Sequence, residues 1–391
     1  LSSHAANVEA ESVDEGLQEE LCQLVADAES LPAVPTASVD AYEQATGDMV
    51  ATVDEVVLSN PRIDQLRGTL ALGRLHDNHA HHAAFMAVVF RYGTYRLLAR
   101  ILPWVYRSYH QHGVGFAYFP LELRAWQGAV RAQLDEGQTA EILEIYDWML
   151  AVHDRVQRLC PLPSPFEPAP SDSQWQGMRA RLTELLLAGD WRQSQILVRA
   201  SGTPSQRADF FEKALRDSLY EVGSQWETGT ISVAREHLAT ATVARLLAAM
   251  PVVSDAAVTP KGKAIVTATA NEHHQVGAWL IADALEADGW DVRFLGANTP
   301  EQELLALLRE ECPDLLLLSA TLPFNLRHVQ NTIQAARCLP ECHNTRILVG
   351  GQAFAGEPDL DRRLGADGTG KDCRDAVAQA ALWWGERTGG Q

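Results

Sequence analysis

Directly after the apolar run AIVTATA the chain reads Glu272-x-His274-x-x-Gly277. An imidazole that binds a metal must keep one ring nitrogen free. A carboxylate that holds the other N–H fixes the tautomer and raises the basicity of the ligand. Glu272 and His274 have the spacing for that arrangement, and Gly277 leaves the backbone bare beside them. His273 has the wrong spacing to Gly277, and alternation points it the other way. On its own, a six-residue pattern with one histidine more often describes a solvated loop than a metal site. Its weight comes from groups further along: Ser319 and Thr321 in LSATL, and the pair Gly350-Gly351 in VGGQAF.

Two other groups stand upstream. WETGTISVAREH places nine residues between Trp226 and Glu236-His237, a pattern that in isolation reads as bundle core and surface. RLHDNHAHH supplies His76, His79, His81 and His82, followed by Arg91, Arg96, Arg100 and Arg107, with Trp104, Tyr106 and Tyr109 among them. Cations for carboxylates and aromatic walls suit a flat conjugated ligand. The plainer reading is a helical dimerisation domain with a solvated His-rich turn.

The elements that position these residues follow from periodicity. Residues 1–35 are acidic and Ala/Ser-rich and read as a poorly packed lead-in with one short helix at GLQEELCQLVADAES. Residues 36–160 carry long apolar-periodic segments with almost no strand-like alternation, the pattern of a helical domain. PLPSPFEPAPSDS, covering 161–173, is a Pro-rich linker. Residues 174–250 read as four short-linked helices, a bundle whose last helix is capped by Ser232. A connector covers 251–260. From 261 to 391 apolar strands alternate with helices, which predicts a parallel sheet covered on both faces, with ligands at the loops beyond the strands' carboxyl ends. Glu272 and His274 occupy the first such loop.

The 391 residues suffice for two or three domains, and the net charge of −19 without a basic stripe argues against nucleic acid as a partner. The six cysteines are scattered with no CxxC pair, which suits a reducing cytoplasm, and no apolar run is long enough to span a bilayer. No catalytic triad, P-loop or zinc cluster is evident, so no enzyme activity is expected.

Glu272-x-His274-x-x-Gly277, Ser319 and Gly350-Gly351, in that order, resemble the cobalamin-binding domain of methionine synthase and its relatives. The resemblance implies a Rossmann-like, flavodoxin-like domain in which His274 ligates cobalt from below. The displaced base and its tail would lie beside Ser319, Thr321, Gly277, Gly350 and Gly351. Glu272 replaces the family's more frequent Asp, and Thr321 stands where the family's Ser-x-Leu segment has Leu.

Trp226, Glu236 and His237 are similar to the Trp-x9-Glu-His signature of CarH-type light sensors. This implies a bundle that caps adenosylcobalamin, with Trp226 over the adenosyl group and Glu236 and His237 in contact with it. Where that pattern often has a histidine after the Trp, this chain has Glu227, which leaves His237 or water as the ligand once adenosyl is gone.

The segment LARILPWVYRSYHQHGVGFAYFP and the helix after it resemble the last helices of a globin, with Tyr109 at the haem-ligand position and His110 one residue away. A globin-like domain before a CarH-type half resembles the photocobilins. That implies biliverdin beside the cobalamin, with His79, His82, Arg91, Arg107 and Tyr109 as its contacts. The resemblance as a whole implies a light-sensing, homo-oligomeric regulator acting on an unidentified downstream protein. A methylcobalamin carrier of a methyltransferase system and a haem-globin/cobalamin sensor are the alternatives.

Overall fold

The computed structural model describes residues 2–164, 173–201, 209–250 and 260–389. The expected Pro-rich linker and the connector fall largely outside the described residues. The chain divides into two compact units, residues 1–165 with 227–229, and residues 166–226 with 230–391.

The first unit is helical: α1 (Ser2–Glu29), α2 (Thr36–Leu58), α3 (Ile63–Arg67), α4 (Leu72–Tyr92), α5 (Tyr95–Gln111), α6 (Tyr118–Gln133), α7 (Ala140–Ala151) and α8 (His153–Leu159). Its core is built from Met49, Val53 and Val57 on α2, Met86 and Phe90 on α4, Leu98 on α5, and Trp126 on α6. The acidic opening segment departs from its sequence reading. It is one helix through Glu29, and Leu24 and Ala28 are fully buried in the same core. The apolar residues of α1 recur at 17, 21, 24 and 28, a helical stripe that the surrounding acidic residues mask in composition. Gly68 approaches Gly113 so closely that a Cβ on Gly68 would meet the carbonyl oxygen of Gly113 at 2.0 Å. The backbone N–H of Gly115 donates to the carbonyl of Leu66, at 2.8 Å, across the same turn.

In the second unit, α9 (Ser173–Ala188), α10 (Trp191–Ala200), α11 (Arg216–Glu227) and α12 (Val233–Ala249) form the bundle, with one turn of π-helix, Phe211–Leu215, leading into α11. The hydroxyl of Ser232 accepts from the Arg235 N–H at the start of α12, as its sequence position predicts.

The α/β part follows as β1 (Lys263–Ala268), α13 (Val276–Ala287), β2 (Asp291–Gly296), α14 (Glu301–Glu311), β3 (Leu315–Ser319), α15 (Leu326–Arg337), β4 (Arg346–Gly350), α16 (Leu360–Leu364), β5 (Gly368–Gly370) and α17 (Cys373–Gly389). All pairings are parallel and the strand order is β2-β1-β3-β4-β5. β1 and β3 run in register from Ala264↔Leu315 to Ala268↔Ser319. Ala264 and Val266 pack with Ala278, Ala282 and Leu285 of α13 and with Ala376 and Ala380 of α17.

The strand order reverses direction between β1 and β3, because β2 lies on one side of β1 and β4 and β5 lie beyond β3. The carboxyl ends flanking that point are where open α/β sheets bind ligands. Bundle and sheet share one core, since Leu280 of α13 is buried with Ala239, Val243 and Leu246 of α12 and with Phe210 and Leu215. Polar links join the same two parts. The Cys373 N–H donates to Glu212 at 3.1 Å, and the Gln352 amide meets the Tyr220 hydroxyl.

At the end of β4, Gly351 has φ 101°, and a Cβ there would meet the carbonyl oxygen of Ala320 at 2.2 Å. Both the dihedral and the rigid backbone neighbour forbid a side chain. Gly351→Ala is expected to destabilise the second unit by about 2 kcal/mol or more, read as a lowered urea midpoint in Trp fluorescence.

Candidate functional site

β1 ends against β3, with the Thr269 N–H donating to the carbonyl of Ser319 at 3.1 Å. The chain then turns through Asn271, whose φ is 60°, and delivers Glu272 inward. Asn271 tolerates this left-handed turn better than a bulkier residue would. A second such residue, Asn298 (φ 52°), anchors the turn from the β2 side: its side-chain oxygen accepts from the Asn271 N–H at 2.8 Å, and its own N–H donates to the Glu272 carbonyl at 2.9 Å.

The Glu272 side chain is fully buried, and five donors surround its carboxylate. Oε1 accepts from the His274 backbone N–H at 3.0 Å and from His274 Nδ1 at 2.5 Å. Oε2 accepts from the backbone N–H groups of Thr321 at 2.8 Å and Leu322 at 3.1 Å, and from Asn325 Nδ2 at 3.0 Å. Burial pushes this carboxyl up. The hydrogen bond and charge of His274, with the N–H groups of Leu322 and His274, outweigh it and hold Glu272 down at about 2. The charged form is therefore the resident one. On His274, burial lowers the imidazole, but its bond to Glu272, the Glu272 charge and the Glu236 charge raise it. Nδ1 is committed to Glu272. Nε2 has no hydrogen-bond partner among the described residues, and the side chain is 57% exposed. The result is an oriented imidazole with one free nitrogen at the switch point of the sheet.

The other expected groups stand as follows. Ser319 is the last residue of β3 and Gly350 the last of β4, and the two are register partners. Thr321 reaches the site through its backbone N–H rather than its hydroxyl. Gly277 lies in the first turn of α13, and a Cβ there would meet nothing within 4 Å, which leaves open space beside His274. Gly350 and Gly351 have a packing role beside the one their sequence suggested. Added Cβ atoms would strike the chain's own carbonyls, Gly370 at 2.8 Å and Ala320 at 2.2 Å, so these glycines serve close strand-end packing. Asn325 was not legible as a site residue. It is completely buried, and its amide also donates to the Asn271 carbonyl at 3.3 Å. Its only sequence signal is a polar residue just before a helix, which ordinarily reads as a cap.

On the bundle, Trp226 is half-buried in the last turn of α11. Glu236 and His237 open α12. Glu236 is bonded through Oε2 to His237 Nδ1 at 2.6 Å and through Oε1 to the Thr240 hydroxyl at 2.8 Å.

In the first unit the expected pigment contacts have the following partners. His79 is fully buried with both nitrogens bonded, to Asp54 at 2.6 Å and to the Tyr118 hydroxyl at 2.8 Å. His82 stacks on Trp126 and bonds the Tyr146 hydroxyl at 3.2 Å, and burial, with His79 beside it, pushes it down to about 3. Tyr109 lies against Tyr118 and Phe119. Arg91, however, is paired with Asp40 and Glu43, and Arg107 donates to the Leu162 carbonyl. The two guanidiniums are thus drawn to separate partners. Pattern alone could not reveal those partners, which lie 48 and 55 residues away in the chain for Glu43 and Leu162.

Comparison with known proteins bears on the second unit. Residues 262–378 match a family model described as B12 binding domain, and residues 178–250 match a second model of that description. Over 175 residues the chain is 29% identical to the HTH-type transcriptional repressor CarH of Myxococcus xanthus, a match covering 40% of this chain and 56% of that repressor. Over 178 residues it is 26% identical to the dimethylamine corrinoid protein of Methanosarcina barkeri, covering 44% of this chain and 81% of that protein. Among solved structures, the Methanosarcina barkeri monomethylamine corrinoid protein aligns with a TM-score of 0.43 and 16% identity, over 52% of this chain and 96% of that one.

The protein is cobalamin-binding. The residues present fit the cofactor: an imidazole nitrogen left open by a buried carboxylate, open space at Gly277, and the buried, unpartnered Thr269 hydroxyl at the same rim. Asn325→Ala should weaken cobalamin binding by roughly 10-fold and Glu272→Ala by nearer 100-fold, because each loosens the group that orients the ligand. Equilibrium titration followed by cobalamin absorbance checks both.

Proposed function

We propose that this protein is a light-responsive regulator that holds adenosylcobalamin between His274 and the bundle. The observation that carries the reading is packing: Leu280 on α13, the helix that follows His274, is buried with Ala239 and Val243 of α12, the helix that bears the Glu236-His237 pair. When bound, adenosylcobalamin supplies a weak cobalt–carbon bond that absorbs visible light and breaks. In this reading His274 holds the metal from the α/β side, Glu272 holds His274, and Trp226 covers the adenosyl group from the bundle side. The likeness to the CarH repressor over 175 residues supports it.

An indole over an apolar face is stabilising only while that face is present, and burial of a large side chain contributes about 2 to 3 kcal/mol. A change of that size shifts a two-state assembly equilibrium appreciably. The output is therefore a change of packing or of oligomeric state, transmitted to a downstream protein.

The second reading is a methylcobalamin carrier, favoured by the match that spans four-fifths of a dimethylamine corrinoid protein. It needs the imidazole but no adenosyl pocket. The two readings separate on ligand preference. The sensor takes adenosylcobalamin over methylcobalamin and changes its elution volume after green light, and Trp226→Ala keeps binding through His274 but loses most of that change. Equal affinity for both forms, with no light-dependent size change in the wild type, favours the carrier.

For the first unit we propose a linear tetrapyrrole such as biliverdin, set in the interior that contains His82, Tyr109 and the buried carboxyl of Glu122. Burial raises Glu122, with His79 and Trp126 opposing, and the residue forms no ion pair among the described residues. A carboxylate is a suitable acceptor for pyrrole N–H groups. Full-length protein mixed with biliverdin should develop a red band beyond that of the free pigment, and Glu122→Leu should remove it. A Soret band, or no retained pigment, would sink this proposal.

A further inference from the structure

In the first unit a series of hydrogen bonds runs from solvent into the core. His76 and His79 stand one turn apart on α4, and each binds one oxygen of Asp54 on α2. His76 Nδ1 meets Oδ2 and His79 Nδ1 meets Oδ1, both at 2.6 Å. The far nitrogen of His79, Nε2, meets the Tyr118 hydroxyl on α6 at 2.8 Å. Side-chain exposure falls along the series, from 61% at His76 to 19% at Asp54 and 0% at His79. Tyr118 is fully buried. A buried Asp–His–Tyr set satisfies its own polar groups and needs nothing more. A second histidine, standing in water on the same carboxylate, is not required for that. It opens the buried set to solvent.

A carboxylate only accepts, so Nδ1 of each histidine carries the proton it shares with Asp54. His79 Nε2 is then the lone-pair nitrogen and accepts from the Tyr118 hydroxyl, whose oxygen keeps a lone pair for a donor from the interior. Burial, then the Glu122 charge, pushes Tyr118 well above the usual phenol range, so this hydroxyl passes a proton on rather than losing one. The inner end borders the proposed pigment interior. Glu122 is four residues from Tyr118 on α6, and the Tyr109 ring of α5 lies against Tyr118. The charges acting on His79, Tyr118 and their neighbours come from Asp54 on α2, His82 on α4, Tyr109 on α5 and Glu122 on α6, and Asp77 adds to Asp54 at His76. One carboxylate serves two imidazoles, and the second positive charge has no carboxylate of its own.

We infer that Asp54 trades one positive charge between His76 and His79, and that through Tyr118 this exchange sets the protonation state of a tetrapyrrole held in the first unit. The inference rests on the tetrapyrrole reading above. With His76 protonated, Asp54 is occupied, His79 is neutral and the pigment keeps its proton. As pH rises, His76 gives its Nε2 proton to water. The pigment's N–H bond then breaks in favour of the Tyr118 oxygen, the Tyr118 proton moves to His79 Nε2, and the new imidazolium rests against Asp54. One proton leaves the pigment, one leaves the protein, and no electron moves. Falling pH runs the same transfers backwards. The bond and charge of Asp54 raise His76, whereas burial and His79 push His82 down to about 3, which leaves His76 as the sensor.

The test uses full-length protein loaded with biliverdin. The red band of the wild type should change form between about pH 5 and 8, the range in which imidazoles exchange their charge. His76→Ala frees Asp54 for His79 and should hold the band at its high-pH form throughout. His76→Lys keeps a cation on Asp54 and should hold it at the low-pH form. A structural role for an exposed His76 would not send the two substitutions to opposite ends of one titration. His79→Gln, which retains hydrogen bonding but no basic nitrogen, should also stay at the low-pH form. A wild-type band that ignores pH, or a His76→Ala band that titrates as the wild type does, would overturn the inference while leaving the tetrapyrrole reading intact. A wild type that develops no red band would overturn that reading, and the inference with it.

Discussion

The second unit depends on one buried carboxylate. Taking an ionised Glu out of water costs several kcal/mol unless donors replace the lost hydration. Glu272 meets that requirement with five, drawn from its own loop, from the segment after β3, and from the residue before α15. The same bonds that keep it charged tie the β1 and β3 carboxyl ends together across the switch point. Orientation of His274 and closure of the sheet's rim are therefore one event. Loosening of either releases the other, which is why the motif is a unit rather than a histidine with neighbours.

The bundle is not a separate lid on this platform. Leu280, on the helix that follows His274, is buried with bundle residues, and Glu212 and Tyr220 bond to the first residue of α17 and to the segment after β4. A displacement at His274 would be felt by packed side chains, and close-packed interiors respond by switching between discrete arrangements more than by gradual deformation. The π-turn at Phe211–Leu215 stands just ahead of the helix that carries Trp226 in its last turn, and such turns interrupt regular helix at functional positions.

Much of this half was legible from residue order. Strand and helix alternation gave the parallel sheet, and the Glu-x-His spacing gave the carboxylate–imidazole pair, because both are local patterns. What stayed hidden was non-local. Asn325 looks like a helix cap until the fold places it against Glu272. Gly350 and Gly351 look like room for a ligand, yet it is the backbone of Gly370 and Ala320 that excludes side chains there. In the helical half, composition marked α1 as a lead-in because its acidic residues outnumber the stripe formed by Leu17, Leu21, Leu24 and Ala28. Arg91 looked available until Asp40 and Glu43 of α2 claimed it. Sequence spacing shows which groups exist, and only tertiary contacts show which are already taken.

Glu272 and His274 are synthesised well before the groups that organise them. Thr321, Leu322 and Asn325 lie 49, 50 and 53 residues downstream of the carboxylate. A nascent chain that has just emerged through His274 has neither β3 nor the donors for Oε2, so its carboxylate lies in water and its imidazole turns freely. Parallel pairing of β1 with β3 also waits on the intervening helix–strand–helix segment, a long loop closure. Loading with a metal ligand therefore belongs to the completed polypeptide rather than to the ribosome-bound one, and any cleavage between α13 and Asn325 would disarm the histidine without touching it.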